Sequence, residues 1–563
     1  MPRSRSESFY AIALLFAILA VAPPARAQHA IAIHIDATPT NQPIPHTWAY
    51  FGYDEPNYAY APGGRELISD LSSLSPVPVY IRAHNLLTTG DGSASLKWGS
   101  TNAYTEDAAG KPVYDWTITD KIFDTYQRAG AKPFVEIGFM PEALSTHPEP
   151  YRHDFPKGGI FTGWTYPPND YQKWSELVRQ WVLHCVARYG AAEVGTWYWE
   201  IWNEPDIPYW HGTAEEYDKL YDFSADGVKR ALPSARVGGP VTTGPANPKA
   251  AEYLRQFLEH CLHGTNFATG KTGSPLDFIT FHVKGSPKMV NGRAEMGPGV
   301  QLLSASKGFD IIATFPGLAQ LPIILSESDP DGCAACDPKT HPALAYRNGS
   351  QYPAYTALIW KRLTQLAAEK NVRLQGILTW AFEFEDQPYF AGFRTLSTNG
   401  VAKPELNFFR MAGLMTGDQL RVESTGAKPL PEILDSGVHG APDIDAVAAR
   451  ADHRITVMLW NYQDDDAPGP DTSVSLAVTG LPTAPPRLLV REYRVDGAHS
   501  NAYSVWTEMG SPQNPSPEQI KLLKTASDLQ ALGSPRWVEN KNGTLTLPLA
   551  VPRESLSLFE FTW

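Results

Sequence analysis

Residues 197–205 read Trp197-Tyr198-Trp199-Glu200-Ile201-Trp202-Asn203-Glu204-Pro205. The stretch begins as an almost continuous apolar and aromatic run, which is typical of a strand buried on both faces of a parallel sheet. Pro205 cannot continue a central strand, so Asn203 and Glu204 must lie at its carboxyl end. In barrels of alternating strands and helices, that end carries the chemistry.

A second apolar strand ends in the same way. Residues 321–330 read Leu321-Pro322-Ile323-Ile324-Leu325-Ser326-Glu327-Ser328-Asp329-Pro330. Taken alone, the Asn203-Glu204-Pro205 end of the first strand is as compatible with a turn or a helix N-cap outside the sheet as with a strand end in a barrel. Two strand-end carboxylates, Glu204 and Glu327, are what glycosidic bond cleavage needs, because one acid protonates the leaving oxygen while the other attacks or activates water.

The chain alternates strand and helix patterns before a change near residue 429. The predicted barrel strands are residues 46–53, 78–84, 132–139, 196–204, 235–241, 278–285, 322–327 and 374–384. Eight alternating units favour an α/β fold of the (β/α)8 TIM barrel type over an open doubly wound sheet. No glycine-rich phosphate loop follows the first strand, which also disfavours a nucleotide-binding fold.

From residue 429 short alternating strands are separated by Pro, Gly, Asp and Asn, which predicts a C-terminal antiparallel β-sandwich. Its predicted strands are residues 454–462, 472–479, 487–494, 543–550 and 555–561, with one helix at 517–532. The predicted domains are therefore a barrel at 28–428 and a sandwich at 429–563. The pattern of a weakly alternating strand at residues 30–37 is compatible with either domain. We expect the sandwich to shield barrel surface rather than bind sugar independently.

The N-terminus reads as a secretory signal. Arg3 and Arg5 precede an apolar run from Phe9 to Val21, and small residues at 25–27 predict cleavage after Ala27. The run is too short to span a bilayer. We therefore expect a secreted or periplasmic protein with no membrane partner.

The composition limits the classes of molecule that the protein is expected to bind. The formal net charge is -13 and no run of Lys or Arg occurs, which argues against nucleic acid as a partner. No His-Glu-x-x-His or comparable ligand cluster appears, so neither a metal nor another cofactor is predicted. The sequence carries no signal for the oligomeric state.

Cys333 and Cys336 lie just after Glu327, and a small disulfide there suits an oxidising exterior. A zinc site would need two further Cys or His ligands nearby, and none is found. Cys185 and Cys261 are expected to be buried thiols, although a bridge between them stays open.

Polar residues gather at the ends of other predicted strands. Arg82 and His84 end the second strand, His282 and Lys284 end the sixth, and Trp380 on the eighth precedes Asp386. Arg82 is expected to neutralise Glu200, which lies roughly 13 Å below Glu204 at the usual strand rise. A hydroxyl-rich substrate offers hydrogen-bond partners for such a cluster.

These residues carry a resemblance. Trp202-Asn203-Glu204-Pro205, Glu327 and the trailing sandwich resemble glycoside hydrolase family 39, which contains β-xylosidases and α-L-iduronidases. The iduronidase branch is especially similar at His260-Cys261, Gly264-Thr265-Asn266, residues 281–285, residues 327–330 and Arg394-Thr395-Leu396. The resemblance implies a retaining glycosidase in which Glu204 is the general acid and base and Glu327 is the nucleophile.

This assignment agrees with the physical chemistry of the two sites. Retention requires carboxyl groups about 5 to 5.5 Å apart. Aromatic surroundings favour a protonated Glu204, and hydrogen-bond donors favour an ionised Glu327. The candidate substrate-binding residues are His84, Asn203, His282, Lys284, Trp380, Asp386 and Arg394, with Asn203 expected to contact the sugar 2-hydroxyl.

The resemblance leaves two substrate classes. Positions matching Lys284 and Arg394 lie near the substrate carboxylate in iduronidases, and a cation pair suits that group. The segment 383–393 is shorter than in iduronidases, however, and Val283-Lys284 stands where many bacterial xylosidases carry a tyrosine. Lys284 could equally bond a neutral hydroxyl or pair with Asp386.

We expect a β-D-xylosidase acting on xylo-oligosaccharides or related plant glycans. The alternatives are a uronide hydrolase similar to the iduronidases and another exo-glycosidase or transglycosidase of the family. A non-catalytic carbohydrate-binding protein is disfavoured, because both carboxylates are present.

Overall fold

The computed structural model describes residues 30–53 and 55–563. The predicted signal at residues 1–27 lies outside the described residues. Eight parallel strands close into a barrel, and sheets of four and six strands form a sandwich. The predicted TIM barrel with a C-terminal antiparallel β-sandwich is confirmed.

Each barrel strand overlaps one of the eight predicted segments. The strands are β1 (Tyr50–Tyr53), β2 (Tyr80–Ala83), β3 (Lys132–Ile137), β4 (Tyr198–Ile201), β5 (Arg236–Thr242), β6 (Phe278–His282), β7 (Ile323–Glu327) and β8 (Leu374–Trp380). They pair in chain order, and β8 closes on β1. Several end earlier than predicted, because the polar residues that follow them leave the ladder for the upper loops.

Helices cover the outside of the barrel. They are Pro62–Leu74, Thr117–Ala129, Tyr171–Tyr189, Ala191–Val194, Ala214–Ala231, Pro248–His263, Pro298–Ala313, Gln351–Glu369 and Pro404–Leu414, and the remaining helices are Leu430–Ser436, Ala502–Glu508 and Pro517–Ser527. Single 3₁₀ segments are Pro56–Tyr58, Glu142–Leu144, Gly163–Thr165 and Pro342–Asn348. Within the described ranges, no helix is long and apolar enough to cross a membrane.

The barrel interior is built in layers. Its lower layer is largely aromatic and comprises Tyr50, Phe134, Tyr198, Phe278, Ile324 and Leu378, with Tyr80 packed against them. Residues two positions apart on a strand point to the same side. The positions two residues after Tyr80, Phe134 and Tyr198 are therefore also inward, and they are the charged residues Arg82, Glu136 and Glu200.

The sandwich takes strands from both ends of the described chain. Its smaller sheet has the order Arg421–Ser424, Ile31–Asp36, Thr472–Thr479 and Leu545–Val551, and its larger sheet has the order Asp418–Gln419, Asp443–Ala451, Arg454–Tyr462, Ser555–Thr562, Arg487–Val495 and Arg536–Glu539. The weakly alternating N-terminal strand thus lies in the sandwich. Two further sandwich strands, Asp418–Gln419 and Arg421–Ser424, also precede the predicted boundary at 429. They were not predicted, because they are too short to show an alternating pattern.

Three short hairpins complete the sheets. They pair Tyr104–Glu106 with Pro112–Tyr114, Lys288–Val290 with Arg293–Glu295, and Ser397–Thr398 with Val401–Ala402.

The sandwich packs on the helix that follows β7. Arg362 Nη2 on that helix lies 3.1 Å from Oδ1 of Asp443, and both side chains are buried. Lys361 Nζ lies 2.6 Å from Oδ2 of Asp445. The sandwich therefore covers the barrel next to the strand that carries Glu327.

The cysteines divide as expected from the sequence. Cys333 and Cys336 form a disulfide whose Cα atoms are 5.5 Å apart. Cys185 and Cys261 are separate buried thiols. The disulfide closes a short loop directly after β7.

Gly52 on β1 makes room for the last strand. A Cβ atom at this position would lie 2.1 and 2.3 Å from two ring carbons of Trp380. We expect Gly52→Ala to displace the indole and lower the free energy of unfolding by about 1–3 kcal/mol, as overpacking does in other cores. Thermal denaturation would measure this. Gly159→Ala is the control, because nothing lies within 4 Å of its Cβ position, and equal melting temperatures for the two variants would contradict the prediction.

Candidate active site

Two carboxyl groups meet at the upper end of the barrel. Glu327 is the last residue of β7, and Glu204 follows β4 after a turn. One carboxylate oxygen of Glu204, one of Glu327 and a ring nitrogen of His282 lie within 4.8 Å of one another. The Glu204 side chain is 15% exposed and the Glu327 side chain 8%, so solvent reaches both from above.

Glu327 is surrounded by basic groups. Its carboxylate oxygens lie 2.6 Å from Lys284 Nζ, 3.3 Å from Arg82 Nη1, 3.4 Å from His84 Nε2 and 3.7 Å from His282 Nδ1. Burial acts to raise the pKa of Glu327, but the charges of His282 and Lys284 outweigh it and hold the pKa well below its usual range. This direction agrees with the predicted ionised state.

Glu204 has a different environment. Its Oε1 lies 2.8 Å from His282 Nδ1. His282 Nε2 is buried and has no partner among the described residues, whereas Nδ1 faces Glu204 and can donate a hydrogen bond to its carboxyl group. Close to Glu204 in the chain, the indole of Trp202 packs edge-on against two rings. Its centroid lies 5.1 Å from that of Phe139 and 5.2 Å from that of Trp210.

Arg82 links the strands beneath the two carboxyl groups. Its Nε lies 2.5 Å from Glu200, which confirms the predicted ion pair, and Nη2 lies 2.8 Å from Glu136. Burial acts to lower the pKa of Arg82, but the charges of Glu200 and Glu136 raise it overall. Arg82 therefore remains a cation inside the barrel.

Asn203 is oriented by the same arginine. Arg82 Nη2 donates to Asn203 Oδ1 at 3.0 Å. The contact leaves the amide nitrogen of Asn203 as a donor. This orientation fits the predicted contact with a sugar hydroxyl.

Glu136 was not among the site residues predicted from the sequence. Its carboxylate is fully buried, bonds to His84 Nδ1 and pairs with Arg82. The available signal was a single carboxylate within the apolar strand at residues 132–139, in register with Glu200. Glu136 orients His84 so that Nε2 faces Glu327.

Aromatic rings flank this cluster. The His84 ring lies 5.6 Å from Trp380, 5.7 Å from Phe139 and 6.4 Å from Tyr209. Lys284 Nζ lies 5.4 Å from the centroid of the Trp380 ring. These rings provide the apolar surface on which the C–H face of a sugar can pack.

Arg394 is buried next to the Trp380 ring. It is 1% exposed, its guanidinium lies 5.7 Å from the Trp380 ring, and it donates to the carbonyl of Asp331. Its Nη1 also lies 3.9 Å from Asp329 and 3.5 Å from Asp331. Arg394 is thus held by carboxylates.

The suggested pairing of Lys284 with Asp386 is wrong. The carboxylates within ion-pair distance of Lys284, in the described part of the chain, are Glu327 and Asp329, the latter at 3.4 Å. Asp386 is exposed in a turn after β8, with φ at 57°. The strand ends too early to carry Asp386 toward Lys284. Asp329 belongs to the motif at residues 327–330, but no role was predicted for it. It also accepts a hydrogen bond from the Trp380 backbone N–H at 3.2 Å.

The comparison with known families decides the classification. A family model described as glycosyl hydrolases family 39 matches residues 76–543. The chain belongs to glycosyl hydrolases family 39. It is therefore a glycosidase, and the cluster at the barrel top is the candidate active site of this family member.

Relatives of this family 39 chain carry two different names. A "Beta-xylosidase" of Caldicellulosiruptor saccharolyticus is 28% identical over 448 residues, covering 77% of this chain and 80% of that protein. An "Alpha-L-iduronidase" of Homo sapiens is 26% identical over 577 residues, covering 97% and 81%. The solved monomeric beta-xylosidase from Caulobacter crescentus CB15 has the same fold, with a TM-score of 0.73 at 24% identity, covering 94% of this chain and 99% of that one.

Glu204, His282 and Glu327 are also ligand types that could hold a metal ion. The charges around them disfavour a dication, because Lys284 and Arg82 already contact Glu327. In a family 39 glycosidase the same three groups are better suited to acid–base and nucleophilic chemistry.

Removal of the Lys284 charge should raise the pKa of Glu327. In Lys284→Met, burial acts on Glu327 with less opposing charge, so its pKa rises. We expect the acidic limb of the pH profile of kcat/KM to move upward by about one pH unit or more. The control is Lys132→Met, because Lys132 pairs with Glu193 at 3.0 Å at the start of β3. An acidic limb at the same pH in both variants would refute the prediction.

Proposed function

We propose that this family 39 enzyme hydrolyses glycosides with retention of configuration by double displacement. The observation that carries the proposal is the 4.8 Å limit on the distance between carboxylate oxygens of Glu204 and Glu327. Retaining enzymes place the two carboxyl groups about 5 to 5.5 Å apart, whereas inverting enzymes need about 6.5 to 9.5 Å to admit a water molecule.

The two environments assign the roles. Glu327 is ionised among basic groups, so it is the nucleophile that attacks the anomeric carbon. Glu204 is more exposed and contacts His282 at 2.8 Å, so it can meet the leaving group and then a water molecule. Glu204 donates a proton to the leaving oxygen in the first step and accepts one from water in the second.

The surrounding side chains support both steps. When Glu327 bonds to the sugar, its negative charge is lost, while Arg82 and Lys284 stay in place. These cations then favour departure of the carboxylate in the second step, because they stabilise the charge that returns to it. Asn203, oriented by Arg82, donates to the sugar 2-hydroxyl as positive charge develops on the ring.

The charges favour a neutral sugar over a uronide as the substrate. Each nearby cation already faces at least two carboxylates. The pairs are Arg82 with Glu136, Glu200 and Glu327, Lys284 with Glu327 and Asp329, and Arg394 with Asp329 and Asp331. A substrate carboxylate would have to displace one of these groups and face the others.

We therefore propose β-D-xyloside hydrolysis, on xylo-oligosaccharides or similar glycans. The names of two curated relatives, the β-xylosidases of Caldicellulosiruptor saccharolyticus and Geobacillus stearothermophilus, support this class.

Amide variants test the roles. Glu327→Gln should abolish turnover of every substrate, because the amide cannot form the covalent bond to the anomeric carbon. Glu204→Gln should lower kcat/KM for phenyl glycosides by about 10² to 10⁴, while 2,4-dinitrophenyl glycosides retain theirs, because a good leaving group needs little protonation. Initial rates on both substrates would measure this, and equal losses on both in the two variants would refute the assignment.

Two aryl glycosides test the sugar. We expect kcat/KM for 4-nitrophenyl β-D-xyloside to exceed that for 4-nitrophenyl α-L-iduronide by at least about 100-fold, because the iduronide adds a carboxylate to an occupied charge network. The leaving group is the same in both, so the ratio reports the sugar alone. Preference for the iduronide would overturn the pentoside assignment and make Lys284 a carboxylate ligand.

A further inference from the structure

A buried carboxylate just beyond Glu204 takes no direct part in this chemistry. Asp206 is 1% exposed. Its Oδ1 accepts from the backbone N–H of Thr243 at 2.8 Å, and its Oδ2 accepts from the Thr243 hydroxyl. We name these two hydrogen bonds the Asp206–Thr243 clasp. The clasp joins the segment after β4 to the residue that follows β5.

The segment held by the clasp has a disfavoured backbone conformation. The φ angles of Trp202 and Glu204 are 72° and 44°, and that of Val241, opposite them on β5, is 60°. Residues other than glycine persist in this left-handed region only where their surroundings enforce it. The backbone N–H of Glu204 donates to the carbonyl of Val241 at 2.9 Å. The direction of the Glu204 side chain therefore depends on contacts between the ends of β4 and β5.

The outer side of the same loop supplies little restraint. A groove of about 500 Å³ lies against it, lined in part by Pro205, Asp206, Lys249 and Tyr253. Lys249 Nζ donates to the carbonyl of Asp206, but Lys249 is itself exposed. The restraint on the loop comes mainly from its buried side, where the clasp lies.

We propose that Asp206 is a positioning residue for the general acid, and that its clasp to Thr243 aims the Glu204 carboxyl group at the leaving oxygen. This inference rests on the proposed role of Glu204. The side-chain partner of Asp206 in the described chain is Thr243, so the contact by which Asp206 positions Glu204 runs through the backbone, although the charge of Asp206 also acts on Glu204. Proton transfer requires a heavy-atom separation of about 2.6 to 3.2 Å, so a small displacement of Glu204 weakens catalysis by the acid without removing it.

Leaving-group dependence separates this role from a merely structural one. In Asp206→Ala we expect kcat/KM for phenyl β-D-xyloside to fall about 10- to 100-fold, while the value for 2,4-dinitrophenyl β-D-xyloside changes less than about threefold. Thr243→Val removes only the hydroxyl donor and should give a smaller loss with the same selectivity. Thr243→Ser keeps a hydroxyl donor at this position, so both rates should stay close to those of the wild type.

Asp170→Ala is the matched control. Asp170 accepts hydrogen bonds from two backbone amides, those of Gln172 and Lys173, at 2.9 and 3.0 Å at the start of the helix Tyr171–Tyr189. Its loss should lower the melting temperature without changing the ratio of the two rates. If Asp206→Ala does not fold, Thr243→Val carries the test.

Three results would decide the matter. Selective loss on the phenyl substrate in the Asp206 and Thr243 variants supports the clasp. Equal losses on both substrates, following the melting temperature as in the control, would overturn it while leaving Glu204 as the acid. An absence of leaving-group selectivity in Glu204→Gln would overturn the role of Glu204 and, with it, this inference.

Discussion

The upper half of the barrel depends on one buried cation. Arg82 on β2 contacts Glu136 on β3, Glu200 on β4 and Glu327 on β7. Loss of a buried ionic partner typically costs about 3 to 5 kcal/mol, because the remaining charge is left uncompensated. The arginine therefore ties distant strands to one geometry, and the nucleophile forms part of that network.

The layer below explains why these charges act strongly. Aromatic rings from five of the eight strands, together with Ile324 and Leu378, fill the lower barrel beneath the charged layer. Electrostatic interactions in such surroundings are stronger than in water. Groups fixed in advance around a developing charge require little reorganisation during a reaction. The same packing that closes the base of the barrel therefore prepares its upper end for catalysis.

Most of the fold and both central carboxylates could be predicted from sequence. Apolar runs that end in polar residues and proline mark strand ends, and Glu204 and Glu327 follow that rule. The contacts between strands could not be predicted in the same way. Glu136 carries no local pattern beyond its charge, and Asp386 looked suitable only because the exact end of β8 was unknown.

The limits of the sandwich were harder to read for a related reason. The strand Asp443–Ala451 is rich in alanine, which has low strand propensity, and it was not predicted. The strand Ile31–Asp36 alternates weakly, and its place depends on partners hundreds of residues away. Long-range pairing of this kind leaves no mark in a local window of sequence.

That N-terminal strand also constrains how the protein can be made and divided. Ile31–Asp36 pairs with Arg421–Ser424 on one side and Thr472–Thr479 on the other. During synthesis, nearly four hundred residues follow this strand before the first of its two neighbours is made. A barrel cut away from the sandwich would retain an unpaired hydrophobic edge, which is a template for aggregation. Barrel and sandwich are therefore one folding unit in practice, and an isolated catalytic barrel is a poor target for expression.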